Sequence, residues 1–287
     1  MRQISADSHG DRRTHTDESA PVFGSILCGI DGSRQSFEAA RQAAVLATGG
    51  ATLRLLAVTY EIGTGSTAIA LLSRRRAVEA LERARLAARD LGVRAEVEAV
   101  EATQASARLL EDAAARDLLV IGISGRSRLG GILVGRTAAA ALHRAPIPVL
   151  VARRPPAAQF PQSILLATDG APSSRPAAAL AAALARRHDA RLSIVAAESR
   201  DATHRHELAR QAADAFAATG CEPVIIDALG RPHTAIARAA AEVGASLVIT
   251  GSRGLTGVAS LRSVSERVAE CAPCSVLVTR TAGTTLG

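Results

Sequence analysis

The chain is written twice. The stretch from Ser25 to Val58, SILCGIDGSRQSFEAARQAAVLATGGATLRLLAV, is answered by Ser163 to Ala196, SILLATDGAPSSRPAAALAAALARRHDARLSIVA. Each copy reads as an apolar strand ending in Asp-Gly, a helix-length segment, a turn of small residues and a second apolar strand. Further on, RDLLVIGISGRSRLGG from Arg116 is matched by ASLVITGSRGLTGV from Ala245, and HRAPIPVLVARR from His143 by ECAPCSVLVTR from Glu270. A repeat of this kind constrains the fold more than any single motif, because each copy must bury its own core or share one with the other. Strands that are apolar throughout and separated by helices indicate parallel strands covered on both faces. With right-handed crossovers, the expected architecture is α/β: two tandem, doubly wound, five-stranded parallel sheets of the Rossmann-like type.

The spacing between copies locates their differences. Asp31 and Asp169 lie 138 residues apart, Gly122 and Gly251 lie 129 apart, and Pro146 and Pro273 lie 127 apart. The first half therefore carries extra residues after Val58, in EIGTGSTAIALLSRRRA, and the glycine loop of the second half is shorter. At 287 residues the length suits two domains. Residues 1–21 are polar and aperiodic, lack the apolar stretch of a secretory signal, and read as a disordered leader. The first domain is expected over 22–154, a stiff proline-rich linker over 155–162, the second domain over 163–281 and a tail over 282–287.

Composition excludes several functions. The net charge is +7, yet every cation is Arg, with no Lys anywhere, and the Arg residues are interspersed with Glu and Asp. With no Trp and few other aromatic residues there is no stacking platform for a single strand, so nucleic acid is not an expected partner. The missing Lys rules out a Walker loop and Schiff-base chemistry. No long uncharged apolar run suits a bilayer. Four cysteines in so large a chain make no disulfide framework, and a reduced, cytoplasmic setting is expected. Cys271 and Cys274 have redox spacing, but the pair straddles a helix end and Pro273, where the dipole raises rather than lowers a thiol pKa. His204 and His206 read as solvated. His233 lies at a strand-to-helix turn near the carboxyl ends of the strands.

With these motifs in place, each half resembles the universal stress protein family, and the chain resembles its tandem two-domain form. The resemblance is carried by Asp31 in Asp-Gly-Ser, by the Gly-x-x-Gly-x9-Gly loop of Gly122, Gly125 and Gly135, and by SVSERVAECAPCSVLVTR at the end of the second half. It implies an adenine nucleotide, ATP with or without Mg²⁺, at the carboxyl ends of the strands. It places Asp31 on the adenine side, Val58 as a backbone contact to the base, and Ile121 and Gly122 beside ribose and phosphates. Gly125, Gly135, Arg136 and the following Thr137 then form the phosphate loop. In the second half Asp169, Ala197, Gly251, Gly254 and Ser263 take the matching places. The resemblance further implies that the fifth strands, around Val149 to Val151 and Val276 to Val278, pair domains or the subunits of a homodimer. The implied role is a stress-responsive regulator read by a protein partner.

Physical reasoning supports the same location. Glycines let backbone approach a phosphate, and a helix following Gly135 offers unpaired N–H groups. Two departures stand out. Arg136 occupies the place of the family's hydroxyl residue, where it either adds charge-assisted bonds to phosphate or fills the pocket. Arg262 stands where the third glycine of the second half belongs, so the second site is expected to be the weaker. Other readings remain open: Asp31 and Asp169 as cap or turn residues, the glycines as sharp turns, and the chain as a nucleotide-free interaction module or a weak ATPase. No nucleophile with an adjacent base emerges from the spacing, so an enzyme is not expected.

Overall fold

The computed structural model describes residues 20–60, 67–123, 135–154, 159–197, 222–228, 230–252 and 263–280, with residues 208, 210–214, 217 and 220 besides. Ten strands form one continuous sheet. The first half contributes β1 (Ser25–Gly29), α1 (Arg34–Ala47), β2 (Thr52–Tyr60), α2 (Thr67–Asp90), β3 (Ala95–Ala102), α3 (Ala105–Ala113), β4 (Leu118–Gly122), α4 (Arg136–Arg144) and β5 (Val149–Ala152). The second half contributes β6 (Ser163–Thr168), α5 (Arg175–His188), β7 (Arg191–Ala197), β8 (Val224–Ala228), α6 (Pro232–Glu242), β9 (Leu247–Ser252), α7 (Val264–Cys271) and β10 (Ser275–Arg280). The sheet order is β3-β2-β1-β4-β5-β10-β9-β6-β7-β8.

Each half is thus a five-stranded parallel sheet, and the two are mirrored about the central β5–β10 pair. That pair is antiparallel, with Val276 opposite Val151, Leu277 opposite Leu150 and Val278 opposite Val149. The fifth strands therefore pair the two domains. The resemblance also allowed a homodimer through the same strands; within the chain β5 lies between β4 and β10, and β10 between β5 and β9, so neither offers a free edge to a second chain.

Alternating strand residues point to opposite faces. One face carries Ile26, Cys28, Leu53, Leu55, Ile164 and Leu166 against the alanine-rich stripes of α1, α2 and α5. The other carries Leu27, Leu119, Val149, Leu165, Val248 and Val276 against α3, α4, α6 and α7. Both clusters run across the two halves, so the repeats share one core. Alanine at the helix contacts lets the helices lie close to a sheet of branched residues.

Of the expected linker, residues 159–162 are described: Phe160 is buried among the first cluster, and the Gln162 carbonyl accepts from the Arg191 N–H. Residues 155–158 of that linker, the leader up to residue 19 and the tail lie outside the described residues, as do His204 and His206. As expected from Gly-Arg-Pro-His, α6 opens on Pro232, whose fixed φ suits a first turn. Among the described residues no helix is long and apolar enough to cross a membrane.

Candidate functional site

In the order β3-β2-β1-β4-β5 the chain winds outward in both directions from between β1 and β4. Doubly wound sheets open a crevice at the carboxyl ends of the two strands flanking such a switch point. Asp31 follows β1 and Gly122 ends β4, so the sequence-predicted residues of the first half gather there. The matching point of the second half lies between β6 and β9, beside Asp169 and Gly251.

Asp31 is exposed and builds a turn. Its Oδ1 accepts from the Ser33 N–H at 2.9 Å, and Ser33 in turn caps α1 by accepting from the Ser36 N–H at 3.1 Å. Partial burial would raise the Asp31 carboxyl, but the bonds from Ser33 and Ser36 outweigh it and hold the pKa below the ordinary carboxylate value. Asp31 is therefore ionised at neutral pH and acts as an acceptor. The reading of Asp31 as a turn residue is realised, while the cap itself is Ser33. Val58 lies inside β2, which continues to Tyr60; it pairs with Val100 of β3 and is half-buried against the second cluster.

Gly122 has a packing cause. A Cβ there would lie 2.5 Å from the Gln35 carbonyl carbon and 2.8 Å from the Ser36 nitrogen, inside the first turn of α1. The strand end and the helix start touch backbone to backbone. Ile121 is 6% exposed and pairs with Val151 in β5, so its side chain belongs to the core and only its backbone faces the crevice. Gly125 lies outside the described residues.

Gly135 is the N-cap of α4 and supplies no side-chain bond to the first-turn N–H groups. That turn contains no acidic residue, and it begins with exposed Arg136 and half-buried Thr137. Because α4 runs back along a parallel sheet, its N-terminus lies at the carboxyl end of the strands, with its donors and positive dipole end at the crevice.

The second half arranges the same motifs differently. The Asp169 carboxylate accepts from the Ala171 N–H at 3.0 Å, a turn like that of Asp31. A 3-10 turn over Pro172–Ser174 then delays the helix. Beneath it lies a polar network that sequence reasoning did not anticipate: Thr168, Ser174 and Gln211 are all buried, and Gln211 Nε2 donates to Ser174 Oγ at 2.9 Å. The Gly170 N–H donates to Thr168 Oγ1 at 3.0 Å. The hydroxyls at Thr168 and Ser174 were visible in the sequence, but nothing there signalled that Gln211 would meet them.

The β6–β9 ladder runs through Ala167 opposite Thr250, one pair further than β1–β4, which stops at Cys28 opposite Val120. Among the described residues, a Cβ on Gly251 would meet nothing nearer than 3.8 Å. Ser263 caps α7 by accepting from the Glu266 N–H at 3.3 Å, and Glu266 itself sits in the first turn. The first turn of α7 is thus met by its own cap hydroxyl and lies beside a negative charge, whereas among the described residues no side chain caps α4. Ala197 ends β7; Gly254 and Arg262 lie outside the described residues.

The cysteine pair is chemically quiet. Burial pushes the Cys274 thiol up to about 12, and burial likewise raises Cys271, whose Sγ donates to the His233 carbonyl at 3.4 Å. Neither is a thiolate at neutral pH.

Comparison with known proteins identifies the family. The family model described as the universal stress protein family matches residues 23–153 and again 192–280. The chain belongs to the universal stress protein family. A curated universal stress protein of Thermus aquaticus is 40% identical over 139 residues, covering 42% of this chain and 98% of that protein. A universal stress protein from Archaeoglobus fulgidus DSM 4304 superposes with a TM-score of 0.72 at 22% identity, over 90% of this chain and 96% of that one. The cytoplasmic domain of a prokaryotic cation chloride cotransporter is similar in fold, with a TM-score of 0.53 at 12% identity, covering 91% of this chain and 96% of that chain. As a tandem universal stress protein, the chain fuses its two domains into a single sheet.

Proposed function

We propose that the chain binds an adenine nucleotide, ATP with Mg²⁺, at the β1–β4 switch point of its first half, and that occupancy is read by a protein partner in a cytoplasmic stress response. The observation that carries this reading is the start of α4. Among the described residues no side chain caps its first turn, which holds no acidic residue and begins with Arg136, so it is an anion site at the carboxyl ends of the strands, where ionised Asp31 also follows β1. The residues fit the group: phosphates at the helix start, and a hydrogen-bond donor of the base or ribose toward Asp31. Regulation follows from binding, since a ligand held only by the native state stabilises it by mass action. Binding rather than turnover is the assigned role, because Asp31 is committed to its own turn and no base stands beside it among the described residues.

Titration of MgATP into protein freed of nucleotide by unfolding and refolding tests this, with stoichiometry as the readout. One site per chain, weakened in Arg136→Glu, is the expected result. Two equal sites would overturn the assignment to the first half. Absence of heat and of thermal shift at millimolar ATP would overturn the nucleotide reading and leave an interaction module of the same fold.

A further inference from the structure

Two arginines cross the boundary between the halves. Arg153 follows β5 and Arg280 ends β10, 127 residues apart, the same spacing as Pro146 and Pro273, so they are equivalent positions of the repeat. Arg153, from the first half, donates through Nη2 to the Ala269 carbonyl at 3.0 Å and through Nη1 to the Ala272 carbonyl, at the last turn of α7 in the second half. Arg280, from the second half, donates through Nη2 to the Ala141 carbonyl at 3.2 Å and to the Leu142 carbonyl, at the last turn of α4 in the first half. Each helix ends on carbonyls with acceptor capacity to spare and on the negative end of its dipole, which a guanidinium suits; the Ala141 carbonyl accepts from the Ala145 N–H as well as from Arg280. Both guanidinium groups are largely desolvated, which lowers their pKa and strengthens their bonds relative to water.

The two arms are unequal. Arg280 Nη1 also donates to Ser252 Oγ at 3.0 Å, and Ser252 directly follows Gly251 at the end of β9. Arg280 thus joins the switch-point strand of the second half to the helix that opens at Gly135 in the first. The place matching Ser252 in the first half is Ile123, which has no hydroxyl. Arg153 is anchored instead through its backbone: its N–H donates to Ser275 Oγ at 2.9 Å, and its carbonyl accepts from Gln42 Nε2 at 2.9 Å. Gln42 and Ser275 are fully buried, so this arm is fixed to α1 and β10.

We propose that Arg153 and Arg280 are a crossed pair of positioning residues, and that Arg280 transmits order at the first half's α4 to the end of β9 in the second half. The nine residues of α4 span only about 13 Å at 1.5 Å each. A helix fixed at one end by an anion and at the other by Arg280 is held as a short rigid lever. The identity of the anion rests on the nucleotide reading above; the clasp itself does not.

Hydrogen exchange on the full-length chain tests it without ligand. In Arg280→Met, which keeps an apolar stem and removes the donors, exchange in the last turn of α4 is expected to rise about tenfold relative to β1, with α7 unchanged. Arg153→Met should do the reverse, loosening α7 and sparing α4. No change in α4, or an equal rise in both helices from either variant, overturns the clasp.

Ser252→Ala provides a milder variant that leaves the helix contacts of Arg280 in place. MgATP is expected to slow exchange in both α4 and the end of β9 in the unaltered chain, and in α4 alone in Ser252→Ala. Persistent β9 protection in that variant overturns the route through Arg280. If MgATP neither binds nor protects any segment, the nucleotide reading fails, and the ligand-free comparison of Arg280→Met with Arg153→Met still decides the clasp.

Discussion

The two halves share strand order, motif order and an Asp turn after the first strand, yet their switch points are built from different materials. In the first half, Gly122 lies against the backbone of a helix that starts promptly on a Ser33 cap, and among the described residues no side chain caps the facing helix α4. In the second half, Gly251 has room, the helix start is delayed over a buried Thr168–Ser174–Gln211 network, and α7 caps itself with Ser263. Topology is insensitive to such exchanges because it rests on apolar strands and alanine stripes. Ligand chemistry depends on a handful of N–H groups at helix starts, and there a single hydroxyl changes what is available. The comparison teaches that a duplicated fold can keep its architecture while its two copies cap the matching helix differently.

The largest effect that could break this contrast is steric. Gly122→Ala should destabilise by about 1–3 kcal/mol, because its Cβ collides with rigid backbone. Gly251→Ala should stay within about 0.5 kcal/mol. Denaturant midpoints of the two variants measure this, and equal losses would show that the two glycines have one cause.

Next is the network found only in the second half. Gln211→Leu leaves buried hydroxyls with fewer partners and should lower stability by about 1–3 kcal/mol, read as a fall in Tm. A neutral result would mean that Thr168 and Ser174 satisfy each other.

At the helix starts the contrast sharpens. Ser263→Ala should cost about 1 kcal/mol, whereas Gly135→Ser, which gives α4 a side-chain cap, should stabilise by only a few tenths, both followed by thermal unfolding. Arg136→Glu should weaken MgATP binding about tenfold, equivalent to about 1.4 kcal/mol, in a calorimetric titration. An increase in affinity there would show that Arg136 obstructs the phosphates.

The smallest effect concerns acid. The folded pKa of Asp31 is depressed, so its contribution is present above the unfolded carboxylate value and is lost as pH falls through the folded one. The stability gap between the unaltered chain and Asp31→Asn should therefore be constant near neutrality and close in the acid limb. A gap that widened on acidification would contradict the Ser33 and Ser36 bonds.

Much of this was legible in the residues. Short apolar runs such as SILLAT and VLVA, bounded by turn residues, read as buried strands, Asp-Gly announced the turn at Asp31 though not that Ser33 would be the cap, and Pro232 announced α6. The contacts between α1 and Gly122 were not legible, since the glycine could equally have served a phosphate. Nor was Gln211, whose partners lie 37 and 43 residues away.

By itself, the sequence determined two doubly wound units and which ends of the strands form the crevices of such sheets, because strand burial and helix periodicity are local properties of a repeated pattern. Only the tertiary structure decided that the units merge through β5 and β10 into one sheet, and that Arg153 and Arg280 end each other's helices. Which distant carbonyl meets which guanidinium depends on how separately encoded surfaces pack, and no spacing along the chain records it.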